Sequence, residues 1–173
     1  ARSGARPEAG HQDGSERKLY NSAYLMTAEG KAAGKYDKVR LVPYGEYVPL
    51  QKLFPFINRL VTGIGDFRPG DSMKLLHAND KTLATLICYE IIFPDLTRRF
   101  VKDGAQFLVN ITNDAWFGNT SAPYQHLSMA AVRAVENRRF IARAANTGIS
   151  SIIDASGKIQ SSSKLFTETH LTG

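Results

Sequence analysis

The stretch from Thr82 to Asn110 constrains the fold most. Thr82 to Cys88 runs through Leu, Ala, Thr, Leu and Ile without a charged break, as a strand buried on both faces does. Pro94 suits the first turn of a following helix, whose Phe93, Leu96, Thr97 and Phe100 fall on one side and which Asp103-Gly104 ends. Gln106 to Asn110 is then the next buried strand. Strand, helix, strand in that order implies a right-handed parallel crossover, and therefore an α/β layered domain.

The flanking sequence extends this pattern. Thr120 or Ser121 can cap a long helix whose inner face carries Leu127, Ala130, Ala131, Ala134 and Arg138. Phe140 to Ala145 and Ile149 to Asp154 read as two more strands, with Ala155-Ser156-Gly157-Lys158 as a hairpin turn; the tail after Ser161 is polar and uninformative. Upstream, Leu19 to Met26 and Ala32 to Tyr36 form a predicted antiparallel hairpin around Ala28-Glu29-Gly30-Lys31, and Ser72 to His77 is a further strand. Between them lies a long stretch, Asp37 to Asp71, punctuated by Pro and Gly, with room for a short helix near Leu50 to Asn58. Connections of that length are usually functional.

A chain of 173 residues with 43% hydrophobic content can close its own core. It holds no apolar run near the about 18 to 20 residues of a membrane span. Ala1 to Ser15 is polar and glycine-rich, with neither an initiating Met nor an apolar signal core, so the sequence reads as a piece of something longer. The net charge of +6 comes from 22 basic and 16 acidic residues scattered in ones and twos. That is a mixed solvated surface, and no nucleic-acid partner is expected. His11, His77, His126 and His170 show no metal-ligand spacing, and one cysteine cannot build a disulfide framework or a multi-cysteine zinc site, so no metal is expected.

Three clusters can carry chemistry. Cys88 ends a buried strand ahead of a helix N-terminus, where unpaired backbone N–H groups favour the thiolate. An isolated cysteine is more commonly a small buried hydrophobe. Glu90 tilts the reading toward function, because in extended geometry it shares the face of Cys88 and puts a charge where a buried strand end needs none. The second cluster is the stiff run Tyr36 to Pro49, in which Lys38 and Glu46 can turn inward and pair; such a positioned ammonium stabilises an oxyanion. The third, Asn110 to Gly118, follows a buried strand, where α/β proteins place ligands. A Cys88/His126 dyad is the rival pairing, against which His126 is expected on the exposed or capping side of its helix.

These clusters, in this order, resemble the nitrilase (carbon-nitrogen hydrolase) superfamily with its Glu-Lys-Cys triad, Lys38 matching the lysine and Cys88 the nucleophile. Tyr36 to Pro49, Cys88 to Ile91, Thr112 to Gly118 with Ser121 to His126, Arg133 to Arg138 and Arg143 to Ser150 resemble, more narrowly, the bacterial apolipoprotein N-acyltransferases. The resemblance spans Tyr20 to Lys158. It implies a nitrilase-type α-β-β-α sandwich with mixed sheets, present here as one partial catalytic domain over residues 1–173 and incomplete at both ends. The family's multiple transmembrane helices and its first catalytic Glu, the general base in a Pro-Glu segment, match nothing here, and a fragment of this kind is expected to be inactive alone.

The implied reaction moves a fatty acyl chain from a phospholipid, through a Cys88 thioester, to the N-terminal amine of a diacylglyceryl-cysteine lipoprotein. It needs no cofactor and takes place on the periplasmic face of the bacterial inner membrane. In the roles so implied, Lys38 stabilises the tetrahedral intermediate, and Glu46 and Glu90 orient Lys38 and the thiol. Tyr89 completes the oxyanion hole through its N–H, and Trp116 lines the acyl or head-group site. Phe54 and Phe56 belong to an apolar lid or arm within residues 50–71 that meets lipid. The positive charge then reads as a modest attraction to an anionic lipid surface. Two other functions fit less of the pattern: a soluble amidase of the same superfamily acting on a small amide, and a catalytically silent binding module.

Overall fold

The computed structural model describes residues 18–43, 45–47 and 67–173. The predicted hairpin is present as β1 (Ser22–Met26) and β2 (Ala32–Asp37), paired antiparallel. A six-stranded mixed sheet follows, built from β3 (Leu76–Ala78), β4 (Lys81–Ile87), β5 (Phe107–Asn113), β6 (Ile141–Asn146), β7 (Ser151–Ile153) and β8 (Ile159–Ser162), in that spatial order. β4, β5 and β6 run parallel; the outer pairs are antiparallel. The two parallel steps are bridged by α1 (Pro94–Lys102) and α2 (Ala122–Asn137), which touch each other, while α1 also touches β4 and α2 touches β6. This is the crossover topology expected from the strand-helix-strand reading.

Local chemistry explains the elements. Pro94 sits at the first position of α1, where its missing N–H costs nothing, Asp95 occupies the first turn, and Arg99 and Lys102 complement the dipole in the last. Leu96, Thr97 and Phe100 are its buried face, and Phe100 meets the Tyr36 ring of β2 edge-on at 5.6 Å. Residues 84–87 of β4 are all buried, so the strand is covered on both faces. One continuous core joins Tyr36, Leu86, Ile91, Phe100, Leu108 and Ile141. The β7–β8 turn docks on α2 through Gly157, at φ +83: a Cβ there would lie 2.5 Å from Val135 Cγ2.

Several expectations shift. Ser72 to His77 is ordered as a strand only from Leu76. β5 continues three residues past Asn110, because Ile111 and Thr112 go on pairing with Ala144 and Ala145. Ser121 makes no side-chain cap on α2; Thr120 Oγ1 instead accepts the Ala122 N–H at 3.3 Å. Arg138 is not on the inner face: it is the left-handed residue that ends α2, at φ 51, and is exposed. His126 is buried rather than exposed or capping. The expected helix near Leu50 to Asn58 lies outside the described residues, as does most of the apolar arm.

Candidate active site

Cys88 does not end a strand. It opens a 3-10 turn, Cys88–Ile92, and holds the left-handed backbone conformation at φ 53, one of few non-glycine residues to do so. For an L-residue that geometry costs about 1 to 2 kcal/mol and persists only where surrounding contacts enforce it. The turn also removes the extended geometry in which Glu90 would share the face of Cys88, and it stands between Cys88 and the Pro94 helix.

Glu90 turns inward instead and is fully buried. Its Oε1 accepts the Tyr36 hydroxyl at 2.9 Å and the N–H groups of Val39 at 2.8 Å and Arg40 at 3.0 Å. Its Oε2 accepts the Ile87 N–H at 2.8 Å. One carboxylate therefore laces the Tyr36 side chain and the backbone just after Lys38 to the residue before Cys88. Burial pushes its pKa up, and the four donors oppose that shift. The Tyr36 phenol is raised far above its ordinary value, by burial first and then by the Glu90 charge.

Lys38 is 1% exposed and pairs with Glu46 at 2.6 Å. Glu46 is itself held by the Val42 N–H at 2.8 Å and the Asn21 side-chain amide at 2.7 Å. The far end of the long connection returns to the same place: Gly70 donates to the Lys38 carbonyl at 2.8 Å and Phe67 to the Glu46 carbonyl at 3.1 Å. A buried pair supplied with further hydrogen bonds is costly to break, about 3 to 5 kcal/mol when one partner is removed. The structure thus brings Lys38, Glu46, Glu90 and Cys88 into one connected unit.

A second set of residues lies under Cys88: Asn110, Thr112 and Asp114 of the third cluster, with His126 and Arg143. Asn110 Nδ2 donates to the Leu86 carbonyl at 2.9 Å and reaches the Cys88 carbonyl at 3.4 Å. His126 Nε2 lies 3.3 Å from the same Cys88 carbonyl. Asp114 joins His126 Nδ1 at 3.1 Å, Arg143 Nη2 at 2.7 Å and the Thr112 hydroxyl at 2.9 Å; Arg143 also bonds Asn110 Oδ1 and the Ile149 carbonyl. All five side chains are buried. Burial opposes ionisation of Asp114, but the His126 bond and the Arg143 charge outweigh it and hold the carboxyl below the usual range. Arg143 moves down through burial, against the pull of Asp114. Since a carbonyl can only accept, Nε2 of His126 is the donor in this contact and serves the backbone of Cys88. The contact is with the carbonyl, not a Cys88/His126 dyad. A polar residue at inward parity in each of two buried strands, Asn110 and Arg143, was the available signal.

Tyr89, 37% exposed, stacks edge-on against Phe93 at 5.6 Å, and the Phe93 ring also carries the Arg40 guanidinium at 5.5 Å. Trp116 stands in the short 3-10 turn Ala115–Phe117, and its side chain lies outside the described set. Phe54 and Phe56 also lie outside the described residues. Among the described residues, no three His, Cys, Asp or Glu side chains gather as a metal would require, and no helix is long and apolar enough to cross a membrane.

Comparison with known proteins gives this geometry a family. An apolipoprotein N-acyltransferase of Geobacter metallireducens is 54% identical over 162 residues, which cover 94% of this chain and 31% of that protein. One from Chlorobaculum tepidum is 38% identical across 97% of this chain and 33% of its own length. The chain therefore spans about a third of the curated relatives it matches. Among solved structures, Nit3 of Saccharomyces cerevisiae, a nitrilase-superfamily protein, superposes with a TM-score of 0.63 at 21% identity, over 87% of this chain and 51% of its own. A mutant amidase from Nesterenkonia sp. AN1, with the acetamide moiety of fluoroacetamide covalently attached at its active-site cysteine, superposes at 0.60 with 25% identity, covering 83% and 51%. The fold is the nitrilase type, in the incomplete form expected. Residues 4–173 match the carbon-nitrogen hydrolase model, and the chain belongs to that family.

Proposed function

We propose that this chain is catalytic-domain sequence of an apolipoprotein N-acyltransferase, with Cys88 as the nucleophile. The observation that carries the reading is the lacing by Glu90 of the Lys38 segment to the head of the Cys88 turn. Relatives of that name at 54% and 38% identity support the reaction class. The covalent adduct at the active-site cysteine of the Nesterenkonia amidase supports the role of the thiol.

In the first half-reaction the Cys88 thiolate attacks the ester carbonyl carbon of a phospholipid, and the carbonyl oxygen becomes an oxyanion. The Lys38 ammonium, neutralised at rest by Glu46, stabilises that oxygen as charge develops, with the Tyr89 N–H as a second donor. The C–O bond then breaks; the lysophospholipid leaves as an alcohol with a proton, and the acyl group remains as a thioester. In the second half-reaction the N-terminal amine of a diacylglyceryl-cysteine lipoprotein attacks the thioester. The C–S bond breaks, the amine loses its proton, and an amide forms with thiolate restored. The thiol proton goes to the family's first catalytic glutamate, which no segment of this sequence matches. Trp116, Phe54 and Phe56 line the acyl path at the periplasmic face of the inner membrane.

The test supplies the full-length protein with phosphatidylethanolamine vesicles and a diacylglyceryl-cysteine peptide. An amide-linked fatty acyl group on the peptide, absent with Cys88→Ala, is the expected product. Hydrolysis of a small amide without transfer to the peptide would support the soluble amidase instead.

A further inference from the structure

We propose that His126 and Asn110, braced by Arg143 and Asp114, are positioning residues that hold Cys88 in its reactive backbone geometry; this rests on the reading of Cys88 as the nucleophile. Cys88 is in the left-handed region at φ 53, which its side chain does not favour. Its carbonyl is approached by two side-chain donors from different elements, Asn110 of β5 at 3.4 Å and His126 of α2 at 3.3 Å. Turning the Cys88 peptide to relaxed dihedrals would swing that carbonyl away, leaving His126 Nε2 unpaired in the interior, where such a group is costly, and Asn110 Nδ2 with the Leu86 carbonyl alone.

The donors cannot follow the carbonyl, because each is locked from behind. Arg143 Nη1 holds the Asn110 side-chain oxygen, which fixes Nδ2 toward Leu86 and Cys88. Asp114 takes His126 at Nδ1, which fixes Nε2 toward Cys88. Arg143 Nη2 and the Thr112 hydroxyl then fix Asp114. The one carboxylate of the unit thus faces both the Arg143 guanidinium and the His126 ring. Opposite it, the Ile87 N–H is fixed by Glu90. The backbone around the thiol is thus held at two points, the Leu86–Ile87 peptide by Glu90 and the Cys88 carbonyl by the Asn110–His126 pair. Arg143 also interacts electrostatically with Cys88; Asn110 and His126 act on it through its backbone and decide where the sulfur points.

The experiment uses the full-length protein in detergent with phosphatidylethanolamine. It compares His126→Phe, which keeps the volume and loses the donor, with His126→Gln, which restores an N–H near the same place. Asn110→Asp is the independent variant, replacing the donor to the carbonyl while leaving Arg143 a partner. Two rates are read on folded protein: single-turnover acyl-thioester formation, and alkylation of Cys88 by iodoacetamide. Both should fall about 10- to 100-fold in His126→Phe and Asn110→Asp, the range for a reacting group misplaced by about an ångström. The KM for phospholipid should be unchanged, and His126→Gln should recover most of the loss. Wild-type rates in folded His126→Phe and Asn110→Asp, or no recovery in His126→Gln, would overturn the proposal. Failure of wild-type Cys88 to take an acyl group overturns the transferase reading instead, and the alkylation rates then still decide the positioning role.

Discussion

At the scale of residues, two carboxylates do different work with the same group. Glu90 spends both oxygens on four donors, so Glu90→Gln places an amide nitrogen against at least one buried donor. A stranded donor costs about 1 to 3 kcal/mol. The urea midpoint should drop accordingly and the acylation rate should fall with it; an unchanged midpoint would mean the lacing is dispensable. Asp114 has its pKa lowered in the fold, so it binds fewer protons there than in the unfolded chain. Its stabilisation is therefore present in full above the ordinary aspartate value, near about pH 4, and is lost as pH falls through the lowered value. Asp114→Asn should flatten that acid limb of the stability curve, and an acid limb identical to wild type would contradict the assignment.

At the scale of elements, strand register does what local sequence cannot. Leu86 pairs with Asn110, and Asn110 with Arg143, across three parallel strands, so the polar row beneath Cys88 is created by pairing of residues 24 and 33 positions apart. Lys38, Glu46 and Cys88 were legible because each stands in a short run of unusual composition. The crossover was legible from β4, Pro94 and β5. The Asn110–Asp114–His126–Arg143 network was not, since each member looks like an ordinary polar residue until the register is known, and His126 reads as surface. The 3-10 turn at Cys88 escaped for a related reason: Leu86-Ile87-Cys88-Tyr89-Glu90 has strand propensity, and the four bonds to Glu90 override it. Gly148 shows how tightly the elements close around the network. A Cβ there would sit 2.6 Å from Asp114 Oδ2 and 2.9 Å from its Cβ and Cγ. Gly148→Ala should lower the melting temperature through an overpacking cost of about 1 to 3 kcal/mol and slow alkylation of Cys88; a neutral substitution would show the network to be slack.

At the scale of the whole molecule, the chain spans about a third of the length of the curated relatives it matches, and the proposed function has its site meet a lipid. The Leu53 to Phe67 stretch, with Phe54, Phe56, Leu60 and Ile64, is the most apolar part of the long connection, whose far end is tied to Glu46 through Phe67 and to Lys38 through Gly70. Charging it, as Phe54→Asp with Phe56→Asp, should cripple activity on vesicles; full activity would remove the arm from the lipid path. The central claim is that Cys88 carries the acyl group. Peptide mapping by mass spectrometry of the full-length protein after incubation with phosphatidylethanolamine tests it most directly. A fatty-acyl thioester on the Cys88 peptide, lost on adding hydroxylamine or acceptor peptide, is the expected result. No adduct at Cys88, together with transfer activity surviving in Cys88→Ala, would contradict it.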